Sequence, residues 1–283
     1  MLSAACPPAR GAAIELRDDR GVLVRLRAPA QRIVTLAPNL AELAHSAGAG
    51  RYLVGVARFS DYPQAVRHVT AVGDAARVEL ERIMVLRPDL VLAWKSGNPP
   101  GEIEKLERLG QVVFVTEPVR MGDIPRLVRA IGALAGTGAA AERAASSFEE
   151  EAHSLRERYA RARKVRALYE VWHRPLMTVS GRHMISDVIA LCGGSNVFAD
   201  APGLTPTVSM EAVLAARPEA VLGGARKGGE AELMRNWRDA PVGALASLPV
   251  FYVDPDLIQR QTPRILDGAR IVCAALDSVR SRK

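Results

Sequence analysis

ERIMVLRPDLVL, at residues 81–92, and EAVLAARPEAVL, at residues 211–222, are two versions of one element. They align without a gap, with Glu81 over Glu211, Arg87-Pro88 over Arg217-Pro218 and Val91-Leu92 over Val221-Leu222. Each version predicts a helix stopped by Arg-Pro and followed at once by a short apolar strand. Proline cannot donate to a helical ladder and disfavours helix in the residue before it. Two copies this far apart predict two similar α/β lobes, whereas a solenoid would need more repeats, closely spaced.

The flanks carry the same alternation. From Ile14, IELRDDRGVLVRL reads as strand, turn and strand, with the turn at Asp19-Arg20-Gly21. The first half then predicts a strand over 33–36, a helix over 39–47 closed by Gly48, and a strand over 53–56. After a loop with Arg58-Phe59-Ser60-Asp61-Tyr62-Pro63 come the first repeat, a helix near 101–109 and a strand over 112–115. The second half restarts with a strand over 167–171 and a helix over 183–192 closed by Gly193-Gly194. The second repeat follows, then a helix near 230–238, a strand over 250–253 and a last helix over 263–279. Helices alternating with short apolar runs indicate parallel sheets covered on both faces. Between the halves, 139–164 has neither Gly nor Pro and is rich in Ala, Glu and Arg, all good helix formers. Some 25 residues at 1.5 Å each make a rod of roughly 38 Å. The expected fold is therefore α/β: two Rossmann-like lobes with mainly parallel sheets, joined by one long rigid α-helix. The division is 1–31 for a stub and leading strands, 32–138 for the N-terminal lobe, 139–164 for the linking helix and 165–283 for the C-terminal lobe.

Composition removes several classes. A chain of 283 residues with 48% apolar content can bury one large core or two ordinary ones. The formal charge of +7 rests on 38 basic residues of which only five are Lys, and the Arg are spread among acids rather than gathered in a stripe. With no nucleic-acid motif beside them, nucleic acid is not an expected partner. No apolar run approaches the roughly 20 residues of a membrane helix. The opening MLSAACPPARGAA lacks a basic start and apolar stretch. It reads either as the tail of a signal peptide begun upstream or as a disordered cytosolic terminus. Cys6 falls in that stub; Cys192 and Cys273 would bridge in an exported protein and stay thiols in cytosol. The five His are dispersed, so no metal site is expected; His173 and His183 could meet, but without a carboxylate partner. There is no Gly-x-Ser-x-Gly, Walker loop or Gly-x-Gly-x-x-Gly, and no catalytic set emerges.

In open α/β sheets, ligands bind beyond the carboxyl ends of the strands. That rule selects Pro38, Phe59 to Pro63 and Trp94 in the first half. In the second half it selects Trp172, Gly223-Gly224 and the stretch from Asp254 to Arg260. Aromatics make up 5% of the chain, yet several fall at these positions. A cleft so lined suits a large, flat, mostly apolar ligand carrying amides or acids. Trp237, inside a predicted helix, is expected in the core. Glu81 and Glu211 each stand in the first turn of a helix, where the macrodipole favours an acid. They would also serve as a two-point dock for a partner's arginines.

The chain resembles, over about residues 32–280, the corrinoid-binding branch of the helical-backbone class of periplasmic binding proteins of ABC importers. The likeness is carried by IVTLAPNLAELA (33–44), SDYP (60–63), LERIMVLRPDLVLAW with GN (80–98), LCGG (191–194) and DPDLIQRQTPRI (254–265). The resemblance implies a periplasmic, monomeric protein with no cofactor that captures cobalamin or a related corrinoid between its lobes and delivers it to a permease. The resemblance puts ring contacts at Phe59, Trp94 and the loop of Asp256, Leu257, Ile258, Gln259 and Arg260; Tyr62 and Trp172, from the strand-end rule, complete the expected ligand set. Asp256 and Arg260 would hydrogen-bond the ring's amide arms, and Phe59 stands where the family often has Tyr. The family's docking acids fall on Glu81 and Glu211 and its disulfide on Cys192 and Cys273. Two tryptophans that the family can place before the repeat helices are Ala75 and Thr205 here, which thins the aromatic lining. The alternative ligands are haem and ferric siderophores, which the same class carries, and the alternative class is a cytosolic α/β enzyme.

Overall fold

The computed structural model describes residues 13–74, 77–224 and 226–282. The predicted tail at the start, Cys6 and Ala75 lie outside the described residues. An antiparallel pair, β1 (Ile14–Arg17) and β2 (Leu23–Leu26), comes first. It turns where the Asp18 carboxylate accepts from the Arg20 and Val22 N–H groups. Five parallel strands follow: β3 (Ile33–Thr35), β4 (Leu53–Val56), β5 (Thr70–Ala71), β6 (Leu90–Trp94) and β7 (Val113–Thr116). They lie in the order β5-β4-β3-β6-β7. Between them run α1 (Pro38–Ser46), α2 (Leu80–Leu86) and α3 (Pro100–Arg108), and after them α4 (Asp123–Ala135) and α5 (Gly138–Tyr159).

A second parallel sheet holds β8 (Val165–Glu170), β9 (Gly194–Asn196), β10 (Ala220–Gly223) and β11 (Val250–Tyr252), in the order β11-β10-β8-β9. Its helices are α6 (Met184–Leu191), α7 (Met210–Ala216), α8 (Glu230–Arg238), the short α9 (Gly243–Ala246) and α10 (Pro255–Ile258), and the long α11 (Ile265–Arg280). Without β5, the two sheets have one order: β4-β3-β6-β7 matches β9-β8-β10-β11.

The repeat is the same structure twice. α2 ends with Arg87 at φ 44°, ψ 61°, and α7 with Arg217 at φ 48°, ψ 57°. Both arginines take the left-handed conformation that helix ends often use, and each proline then starts the step into a strand. The acid after each proline closes the element. Asp89 Oδ2 accepts from the Arg32 N–H at 2.9 Å, and Glu219 Oε2 accepts from the Arg166 N–H at 3.0 Å. The same arginines reach back with Nε, Arg32 to the Leu86 carbonyl and Arg166 to the Arg217 carbonyl. Helix stop, strand start and neighbouring strand are thus tied together by side chains that satisfy orphan helix-end carbonyls.

The chain divides into two compact units. One holds the residues up to Glu117 with Leu127–Arg143, the other Pro118–Arg126 with the residues from Ala144 onward. Pro118–Arg126 therefore groups with the second unit, although the sequence division assigns it to the first lobe. Arg120 Nη1 pairs with Asp187 at 2.7 Å and donates to the Gly181 carbonyl, which explains the grouping. The long helix is continuous over 22 residues, about 33 Å, and ends at Tyr159 rather than 164. Beyond it, i→i+3 bonds at Ala160 and Ala162 tighten the chain into a turn. Arg163 is then held by Glu219 and, at its carbonyl, by Arg280. Good helix formers are overridden there by the need to enter β8.

Each sheet has its own core. Val34, Ile83, Val91 and Leu106 meet on the first, and Leu168, Val213, Val221 and Trp237 on the second. Trp237 is fully buried, as its helix position predicts. Cys192 and Cys273 form a disulfide between the end of α6 and the middle of α11. Among the described residues, no helix is long and apolar enough to cross a membrane.

Candidate functional site

In each sheet the strand order changes direction at one place: between β3 and β6 in the first unit, and between β8 and β10 in the second. The loops leaving these carboxyl ends diverge, and such forks are where α/β folds bind ligands. In the first unit the fork is closed by Asn98, which is 3% exposed. Its Nδ2 donates to the Leu36 carbonyl at 2.9 Å, and its Oδ1 accepts from the Trp94 N–H at 2.8 Å. One amide side chain therefore fixes both loops. Gly97 completes the device, since a Cβ there would stand 1.9 Å from Trp94 Cε3. The Gly-Asn pair noted in the sequence is what lets the Trp94 ring lie flat on its own loop.

The loop after β4 presents the other aromatics. Phe59 has φ 66°, a left-handed conformation that a bulky residue rarely adopts, and is 78% exposed. Its neighbours hold it there: the Arg58 N–H donates to the Gly73 carbonyl, and the Ser60 N–H to the Ala57 carbonyl. Tyr62, three residues on, is half exposed. A large apolar ring held out in water by backbone bonds, as Phe59 is, offers a surface suited to an apolar partner.

The second unit's fork is more polar. Trp172 is half exposed, with its indole Nε1 donating to the Arg174 carbonyl at 2.9 Å. Gln259 Nε2 donates to the Gly224 carbonyl at 3.0 Å and to the Tyr169 hydroxyl at 3.3 Å, joining α10 to the fork. Burial pushes the Tyr169 hydroxyl well above its ordinary pKa, so it stays a neutral hydrogen-bonding group. Asp256 sits between two cations, Arg260 at 2.9 Å and Lys227 at 3.3 Å, and its own N–H donates to the capping Asp254. Gly224 is required here, because a Cβ would stand 2.1 Å from the Val253 carbonyl oxygen.

The predicted set is only partly of one kind. Phe59, Tyr62, Trp172, Gln259 and Arg260 stand on segments beyond strand carboxyl ends, Trp94 is the last residue of β6, and Asp256 lies in α10. Ile258 does not belong with them. It is 1% exposed and packs against Gly268 of α11, since the stretch read as a loop is the helical turn α10 and points this side chain inward. Leu257 is half buried and meets the same glycine through its carbonyl. Nor do His173 and His183 meet through a shared group. His183 caps α6, with its Nδ1 accepting from the Ile185 N–H at 3.1 Å, and burial lowers its pKa to about 4. His173 has the carboxylate partner that sequence reasoning missed, Glu170 at 3.2 Å. No sequence spacing announces that pair, because the turn after β8 brings it together. Among the described residues no cluster of His, Cys, Asp and Glu could hold a metal ion.

Glu81 and Glu211 are exposed in the first turns of α2 and α7. The Ser209 hydroxyl, which caps α7, holds the Glu211 carboxyl below its ordinary range. Helix N-termini share a side with strand carboxyl ends, so each carboxylate stands on the fork side of its own sheet. Thr205 is likewise exposed, ahead of α7.

Comparison with known proteins follows the same lines. The vitamin B12-binding protein of Vibrio cholerae serotype O1 (strain ATCC 39541) is 34% identical over 248 residues, which cover 88% of this chain and 90% of that one. The crystal structure of the periplasmic vitamin B12 binding protein BtuF of Vibrio cholerae superposes with a TM-score of 0.79 at 33% identity, over 89% of this chain and 98% of that one. The periplasmic heme-binding protein RhuT from Roseiflexus sp. RS-1 shares the fold, with a TM-score of 0.76 at 23% identity, over 89% and 99% of the two chains. Residues 33–257, which contain both copies of the repeat and both forks, match the periplasmic binding proteins, and the chain belongs to that family.

Proposed function

We propose that the protein captures cobalamin or a related corrinoid on the carboxyl-end loops of its two sheets and delivers it to the permease of an ABC transporter. The observation that carries this reading is the combination of side chains on those loops. Phe59, Tyr62, Trp94 and Trp172 offer ring faces, and Asp256, Gln259 and Arg260 offer hydrogen bonds. A corrin has the matching chemistry, a broad apolar macrocycle edged with amide arms. The vitamin B12-binding relatives support the same choice. The protein acts without a cofactor and catalyses no reaction. It works as a monomer in the periplasm, where Cys192 and Cys273 stay oxidised. Glu81 and Glu211 engage basic residues of the permease; exposed acids of this kind steer and orient a complex more than they tighten it.

The test is a titration of the purified protein with cyanocobalamin, haemin and a ferric siderophore, followed by tryptophan fluorescence. Saturable quenching by cyanocobalamin is expected, weakened by at least about tenfold in Trp94→Ala, since a stacked aromatic contributes roughly 1–3 kcal/mol. Tight haemin binding with no response to cyanocobalamin would overturn the ligand assignment and leave the family unchanged.

A further inference from the structure

The second unit contains a cavity beside Trp172. It opens beside the carboxyl end of β8 against α8, has a volume of about 200 Å³, and is lined by Glu170, Trp172, His173, Arg174, Glu232 and Asn236 among others. Pockets that enclose a whole drug-sized ligand run to roughly 300–1,000 Å³, so this one would admit an arm of a ligand and not its body. Trp172, half exposed at its lip, is also one of the aromatics of the fork.

Glu170 decides what kind of arm. It is the last residue of β8 and its side chain is 2% exposed. Both of its hydrogen bonds fall on one oxygen. The Trp237 Nε1–H, a donor only, donates to Oε2 at 2.5 Å, and His173 Nδ1 faces the same oxygen at 3.2 Å. The other oxygen, Oε1, has no hydrogen bond among the described residues, and the residue borders the cavity. That oxygen is not among the fully enclosed unpaired atoms, so it opens toward the cavity, where a donor on a ligand arm can reach it. Burial raises the Glu170 pKa, against the opposing pull of His173 and Trp237. The other charges do not supply the missing donor. Arg226 is committed through Nε and Nη2 to Glu232, and Arg174 is exposed at the rim.

We propose that this cavity is a subsite for a primary amide, with Glu170 Oε1 accepting from the amide N–H and the His173–Trp237 pair positioning the carboxylate. The proposal rests on the corrinoid reading and deepens it. A corrinoid brings neutral amide arms, whereas haem brings propionate carboxylates, which a buried carboxylate repels. The subsite is therefore a specificity determinant between two ligand types carried on one fold.

The experiment uses cyanocobalamin and its isomeric monocarboxylates, in each of which one peripheral propionamide has been hydrolysed to an acid. At pH 7.5 one isomer should bind the intact protein at least about tenfold more weakly than cyanocobalamin, a charged hydrogen bond having been replaced by repulsion. In Glu170→Gln, whose amide can donate to an acid, that gap should shrink to about twofold. Should this variant fail to fold by circular dichroism, Asn236→Phe fills the cavity from α8 and should remove the discrimination instead. Isomers that all bind the intact protein within about twofold of cyanocobalamin would overturn the subsite alone, as would a gap unchanged in the variants. Failure of cyanocobalamin itself to bind would overturn the corrinoid reading and the subsite together.

Discussion

Removing the bond between Cys192 and Cys273 should weaken the second unit without altering ligand recognition, and the size of the effect can be worked out. The two residues are 81 apart in sequence. Closing a loop of that length removes unfolded-state entropy worth about 4.5 kcal/mol at 25 °C in the chain-entropy treatment. For a unit of this size each kcal/mol moves the melting temperature by roughly 2–4 °C, so Cys192→Ala with Cys273→Ala should melt about 10–15 °C lower. The fold should nevertheless survive at room temperature, because other groups hold the same ends. Arg280 Nη2 donates to the Cys192 and Gly193 carbonyls at 2.7 and 2.9 Å, and the Tyr159 hydroxyl donates to Asp277 at 2.8 Å. Ligand affinity should change by less than about twofold. α6 ends and β9 begins at the bridge, which places it at the amino end of the sheet, away from the fork loops. Calorimetry of the double variant and of the parent, with and without reductant, measures the first quantity, and fluorescence titration the second. Equal melting temperatures in all samples, with Cys192 and Cys273 of the parent closed to thiol reagent until reduced, would refute the entropic reasoning.

Other outcomes follow from single side chains. His183 is neutral in the fold with a pKa of about 4 against an ordinary 6.5, so the unfolded chain takes up a proton first as pH falls. Stability should therefore be complete above pH 6.5 and decline toward pH 4 by up to about 3 kcal/mol. His183→Asn keeps a cap without titrating and should flatten the urea midpoint between pH 7 and 5; an unchanged slope would show that other groups set it. Asn98→Ala leaves the Leu36 carbonyl and the Trp94 N–H unsatisfied. It should cost about 2–4 kcal/mol by urea unfolding and also weaken cyanocobalamin binding. Glu81→Ala with Glu211→Ala should abolish most uptake by cells or proteoliposomes while leaving affinity unchanged; lost affinity would place these acids in the ligand site instead.

What the sequence revealed and what it hid differ for a physical reason. The repeat was legible because Arg-Pro, an acid and a strand must follow in fixed order for the clamp to close, as Arg87-Pro88-Asp89 and Arg217-Pro218-Glu219 do. The carboxyl-end aromatics were legible too, from strand ends and the Gly97-Asn98 pair. The helical turn α10 was not, since Asp254-Pro255 starts a turn that four residues are too short to show as periodicity. The ligand set therefore includes Ile258, which the turn directs inward. The helix α4 and the minimal strands β5 and β9 also escaped, the strands because two or three residues leave no alternation to read. The Glu170–His173–Trp237 group was hidden most deeply. Its members join a strand end, a turn and a distant helix, and only the folded β8–α8 contact makes them one site.

The two copies of the frame have parted at one position that bears on specificity. Trp94 at the end of β6 corresponds in the repeat to Gly224 after β10. In the first unit Gly97 makes room for the ring, so the fork ends in an apolar face. In the second, the Val253 carbonyl comes so close that no side chain is possible, and the vacated place goes to Gln259. The same order of strands and the same acid clamps thus carry an aromatic platform in one unit. In the other they carry a set of hydrogen-bonding groups, Asp256, Gln259 and Arg260, with Glu170 beneath.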